Sequence, residues 1–249
     1  MMKLLKYDFK RNSAKILGVA VVLILAQLSI MLLMNDNTLI TVFTMLAYIV
    51  AGVILFITPI RTYSYNLKAY NRKLLPVHSL KSILSPIVMG GICLLVLSLI
   101  VGIHGYIYLT VNENPRIFSI IKTYPVETII SLFNVIWMVI HVLITIFLAI
   151  TIAASIRSKG SFWIGIVVFF IIVNGLSWLE NLFFGDSVTG SFGVLLDESN
   201  LLVDSIVTNE NSLPTSLTGG MIGSFIFELV CSVAFLYIMV KLIDRKVEA

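Results

Sequence analysis

The side chains able to do chemistry in this sequence are few and far apart. Three histidines stand at His78, His104 and His141, and two cysteines at Cys93 and Cys231. A metal centre needs such ligands to converge, and this spacing gives no sign of it. Both cysteines sit inside apolar runs, where a thiol acts as a small buried hydrophobe; the clustering of a disulfide framework or zinc site is missing. There is no Gly-x4-Gly-Lys-Ser/Thr phosphate loop, no His-Glu-x-x-His helix and no Gly-x-Ser-x-Gly elbow. No catalytic residue and no metal ligand is therefore assigned, and the chain by itself is read as no enzyme. Glu228 is different, because it lies within an apolar run. An ionised carboxylate facing lipid there would cost on the order of 2–3 kcal/mol, so it must face protein or a wet cavity, or carry a proton. It is read either as an intramembrane proton site on a substrate pathway or as a structural link between helices, with His104 as a candidate partner. Gln27, His141 and Asn174 admit the same two readings, since interhelical hydrogen bonds are a common use of such residues.

The elements that must position these residues are apolar. Hydrophobic residues make up 59% of the 249 and charged ones 12%, against about 45–50% and about 25% in soluble domains. A helix needs about 20 apolar residues to cross about 30 Å of hydrocarbon. Six segments of one membrane domain (1–249) meet that test, at 16–34, 39–59, 86–109, 128–156, 161–178 and 221–240. Trp163 and Trp178 bracket the fifth, as an aromatic belt would. The first follows Lys3, Lys6, Lys10, Arg11 and Lys15 and resembles a secretory signal. Its length, and the Asn35-Asp36-Asn37 that follows in place of a small-residue cleavage site, mark an uncleaved anchor.

Charge then orients the spans. Fifteen of the 17 Lys and Arg fall on one side, in the N-terminal stretch, in 61–81, at Arg157 and Lys159, and after span six. The other side keeps Arg116 and Lys122 but holds nine carboxylates. Basic residues are retained in the cytoplasm during insertion, which predicts a multi-pass plasma-membrane protein with both termini inside.

Two inner segments combine basic and apolar residues. Val77, Leu80 and Leu84 recur at helical spacing behind Pro76, a residue suited to a helix's first turn. Met2, Leu5 and Phe9 form a stripe beside Lys3, Lys6 and Lys10. Both read as short helices along the inner surface, docking either a soluble partner or anionic lipid. The outer segment 180–218 is long and partly apolar, suited to interfacial helices or to a folded cap.

The run Leu74-Leu75-Pro76-Val77-His78-Ser79-Leu80-Lys81-Ser82-Ile83-Leu84-Ser85 resembles the Leu-Leu-Pro-Val element of ABC-2 type transporter permeases, which opens the coupling helix between spans two and three. Leu4-Leu5-Lys6-Tyr7-Asp8-Phe9-Lys10-Arg11 looks like that family's N-terminal interfacial helix, and 180–218 stands where the family carries outer re-entrant helices. His78 and Ser79 depart from the Ser-Arg/Lys pair of the pattern, and Pro86 stands where a Lys is expected. Within the family, the chain is most similar to permease subunits that export phenol-soluble modulins.

The resemblance implies an all-α, type V exporter-like fold and a half-transporter of the bacterial plasma membrane. A second copy and two separate ATPase subunits would complete it, with ATP and Mg on the ATPases and no cofactor on this chain. Leu4, Leu5, Asp8 and Phe9, with Leu75, Pro76, Val77, His78, Ser79, Leu80 and Lys81, would meet the ATPase. Gln27, His141, Asn174 and Glu228 are candidates for the pathway of an amphipathic or hydrophobic cargo such as cytolytic peptides. An ion-coupled secondary carrier using Glu228 is the alternative. Nothing in the sequence points to nucleic acid.

Overall fold

A computed structural model describes residues 2–33, 36–68, 79–111, 125–156, 160–184 and 219–247. Among them the regular elements are all helices: α1 Met2–Leu33, α2 Asn37–Lys68, α3 Ser79–Val111, α4 Pro125–Ser155, α5 Ser161–Phe184 and α6 Gly219–Leu242, which runs into a π-helical turn, Ile243–Val247. All six α-helices are long and apolar enough to cross a membrane, so the chain is a multi-pass membrane protein. Helices α1 to α4 have 31–33 residues, about 47–50 Å of rise, and therefore exceed a hydrocarbon core of about 30 Å.

Local chemistry starts these helices. Asp36 caps α2: its Oδ1 accepts from the backbone N–H of Thr38 at 2.9 Å, and its carbonyl accepts from Ile40 at 3.0 Å. Pro125 opens α4, where its missing N–H costs nothing. The carbonyl of Gly160 accepts from Ile164 as α5 begins.

Three expectations drawn from the sequence are corrected. The N-terminal interfacial helix is not a separate element, because α1 continues unbroken from Met2 to Leu33. No proline or cap interrupts that stretch, and a helix continues past the edge of the hydrocarbon when its lysines reach the polar layer. The apolar runs predict that the second span ends at Pro59 and the third begins at Pro86, yet both prolines lie inside helices. Each forfeits one backbone hydrogen bond, which packing against neighbouring helices makes tolerable within a membrane. As a result Ser79, Leu80 and Lys81, assigned to a separate coupling helix, form the first turn of α3, while Leu75, Pro76, Val77 and His78 lie outside the described residues. Finally, α5 does not stop at Trp178 but reaches Phe184, which brings Glu180 from an expected outer loop into a helix. The rest of 180–218 beyond Phe184 is outside the described residues.

The chain divides into two compact units, Met1–Thr123 and Tyr124–Ala249. In the first, α1, α2 and α3 all pack on one another. Asn12 meets Thr62 and Met89, and Ile16 meets Leu55 and Cys93. Moving forward on α1 is thus moving backward on α2 and forward on α3, so α1 and α3 are parallel and α2 antiparallel. Val19, Val96 and Leu97 complete that core.

In the second unit α4 is central and packs on both α5 and α6. Gly165 lets α5 approach Ala149 and Ala153 of α4 closely, the small-residue packing typical of membrane helices. Val173 and Leu176 meet Val142 of α4 and Phe227, Cys231 and Phe235 of α6. Large apolar side chains such as Leu32, Leu99, Phe162 and Ile171 point outward, as lipid-facing positions must. Trp163 and Trp178 are also exposed.

Candidate functional site

Among the described residues, each unit buries a set of neighbouring polar side chains. Lipid supplies no hydrogen bonds, so such groups persist only where neighbouring helices provide partners.

In the first unit the set is built on Asp8, which is fully buried. Its Oδ2 accepts from Ser85 Oγ of α3 at 2.8 Å and from Asn66 Nδ2 of α2 at 3.2 Å. Arg11, one turn along α1, brings a guanidinium nitrogen to 3.8 Å from Oδ1 and lays its guanidinium 4.2 Å from the ring centroid of Tyr65. The next turn repeats the pattern. Asn12 Nδ2 donates to the Asp8 carbonyl at 2.9 Å and to Thr62 Oγ1 at 3.0 Å, with the Met89 sulfur at 3.7 Å. Two rungs, one turn apart, thereby tie the start of α1, the end of α2 and the start of α3.

In the second unit the set lies between α4, α5 and α6. Trp137 Nε1 donates to Glu228 Oε2 at 2.8 Å, and one turn on His141 Nδ1 lies 2.8 Å from Ser232 Oγ. On α5, Glu180 is a near neighbour of Glu228, and Ser224 Oγ lies 3.5 Å from Glu180 Oε1. Glu180, Glu228, His141, Ser224 and Ser232 are all buried. These pairs gather two carboxyl groups, an imidazole and two hydroxyls in the buried space between α4, α5 and α6.

Other residues singled out from the sequence fall differently. Gln27 is buried, and neither its amide nitrogen nor its oxygen has a hydrogen-bond partner among the described residues. Asn174 is exposed and donates to Phe170 O of its own helix at 2.7 Å. His104 meets the rings of Tyr48 and Tyr108 at 5.9 and 6.4 Å, and its Nε2 has no hydrogen-bond partner among the described residues. Of the residues assigned to partner contact, Asp8 is buried in the first knot. Leu4 and Leu5 are half-buried, Phe9, Leu80 and Lys81 exposed, and Ser79 buried. Cys93 and Cys231 are free thiols. Among the described residues no three His, Cys, Asp or Glu side chains group to hold a metal ion.

Asn12, Asn66, Ser85, Trp137, Glu180, Ser224 and Ser232 did not stand out in the sequence, although a signal existed for some. Ser224, Glu228 and Ser232 are spaced i, i+4, i+8 and so share one face of α6, and Trp137 and His141 stand i, i+4 on α4. Asp8 and Asn12 repeat that spacing on α1. Glu180 lies two residues beyond the end that Trp178 predicts for the fifth span, so the sequence alone leaves it in a loop.

No protein-family model, no curated protein and no solved structure matches the chain.

Proposed function

We propose that this chain is the membrane-spanning subunit of an ATP-driven exporter, working as a pair with a second copy and powered by separate ATPase subunits bound at its cytoplasmic face. The observation that carries the reading is the Asp8 knot. The residues whose motifs resemble ATPase-contacting elements lie at the start of α1 and around the start of α3. Asp8, Asn66 and Ser85 clamp those two places to the end of α2. Force applied at either place is then delivered to three spans together, as an energy-coupling device requires. The basic residues gathered on one side and the Leu74–Ser85 motif point the same way. Cargo that is amphipathic or hydrophobic suits a pathway walled by apolar helices.

The test is co-purification and reconstitution. The tagged chain should bring down a Walker-motif ATPase from its native membrane, and cargo should stimulate hydrolysis in proteoliposomes. Charged replacements at Val77 and Leu80 should leave insertion intact and reduce transport at least about tenfold. Full transport by that variant, or by the chain without any ATPase, would refute the proposal.

The Glu180–Glu228 pair beside His141 favours a second reading, an ion-coupled carrier. It predicts transport that survives ATP depletion, collapses with the proton gradient, and is lost in Glu180→Gln and Glu228→Gln.

A further inference from the structure

On one side of the first unit, α1 and α2 leave a cleft of about 750 Å³ between them. Small residues keep its walls low: Gly18 and Ala26 on α1, Ala47 and Ala51 on α2. The polar lining gathers at one end. Asn12 and Lys15 come from the beginning of α1, Thr58 and Arg61 from the end of α2, and the antiparallel register puts these four at the same level. From Lys15 to Ala26 the helix rises about 17 Å, against about 15 Å for one leaflet of a 30 Å hydrocarbon core.

The two cations at the mouth are exposed, and among the described residues neither has a carboxylate partner. The ion pair formed there is that of Arg11 with Asp8, and the Asp8 carboxylate is already taken up by Ser85 and Asn66. An apolar trough one leaflet deep, closed at the surface by a Lys and an Arg that have no carboxylate partner among the described residues, complements an anionic phospholipid in shape and charge. Arginine suits the phosphate because its planar fork donates two parallel hydrogen bonds, and lysine adds a second positive charge.

We propose that the α1–α2 cleft binds one anionic phospholipid, its acyl chain lying along Gly18, Leu23, Ala47 and Ala51 and its phosphate held by Lys15 and Arg61. The site stands independently of the energy source that drives the protein.

The full chain in nanodiscs of phosphatidylcholine doped with phosphatidylglycerol tests this by native mass spectrometry of the lipid retained. The wild type should retain phosphatidylglycerol in preference to phosphatidylcholine. Lys15→Gln with Arg61→Gln should lower that preference about 10- to 30-fold, and Lys15→Arg with Arg61→Lys should keep it. Gly18→Leu should abolish retention with both cations in place, because a side chain there meets no atom within 4 Å and grows into the trough. If the double Gln variant does not fold, the wild type still decides the matter: preference should fall as salt rises through the range that screens surface charge. Equal retention of the two lipids, indifference to salt, or an unchanged Gly18→Leu overturns the proposal. So does a disulfide between two copies of Gly18→Cys, which would assign the cleft to a second copy. Displacement of the lipid by an amphipathic peptide at equimolar ratio would assign it to cargo.

Discussion

Asp8 holds more of the first unit together than any other polar residue described. Replacing it by Ala leaves the Ser85 hydroxyl and the Asn66 amide buried without their acceptor, and Arg11 without its counter-charge. A loss of about 2–4 kcal/mol is expected, readable as a lower unfolding midpoint in detergent, and Asp8→Asn, which keeps an acceptor oxygen, should lose less. Glu228→Gln should behave in the opposite sense to a stability mutant. Its amide oxygen can still accept from Trp137, so the unfolding midpoint should hold, while the ionisable carboxyl that an ion-coupled carrier needs is lost. Any proton-coupled step then disappears from flux measurements, and an ATP-driven one is spared. Gln27 offers a third contrast. Its amide contributes desolvation cost and no hydrogen bond within the described fold, so Gln27→Leu should retain stability or raise it by about 1–3 kcal/mol. A fall in transport in that same variant would mark Gln27 as part of the pathway.

Helix existence was legible in the sequence and helix ends were not. Six apolar runs correspond to six helices, because length and hydrophobicity alone decide what can cross hydrocarbon. The ends obey other rules. Pro59 and Pro86 look like breaks in a linear reading, but α1 and α3 pack against the Pro59 side of α2 and the helix runs through. Trp178 looks like an interface residue, yet α5 continues for six more residues to Phe184. That extra stretch matters at one close approach. A side chain on Gly223 of α6 would overlap the Phe184 ring, so Gly223→Val must push the end of α5 aside. A cost of about 1–3 kcal/mol is expected. Because Glu180 lies one turn before Phe184, the variant should also weaken the contact of Glu180 with Ser224, and under the ion-coupled reading flux should fall with it.

At the scale of the whole molecule, two three-helix units each keep a polar set among apolar helices. The composition and the one-sided distribution of Lys and Arg are properties of the chain in order, so membrane class and expected orientation could be read without coordinates. Asp8 enters the sequence reading only through the resemblance of Leu4–Arg11 to an interfacial helix, whereas Glu228 is conspicuous by itself as an ionisable residue in an apolar run. Their partners were not readable. Asn66 is 58 residues from Asp8 and Ser85 is 77, while Trp137 is 91 from Glu228. Helical periodicity tells which residues share a face, but not which face of another helix it meets or at what level. That depends on register between helices, which is decided by packing such as Ile16 against Leu55 and Cys93, or Gly165 against Ala153. Hydropathy acts along the chain, whereas hydrogen-bond satisfaction acts across it, and only the second brings these polar groups together.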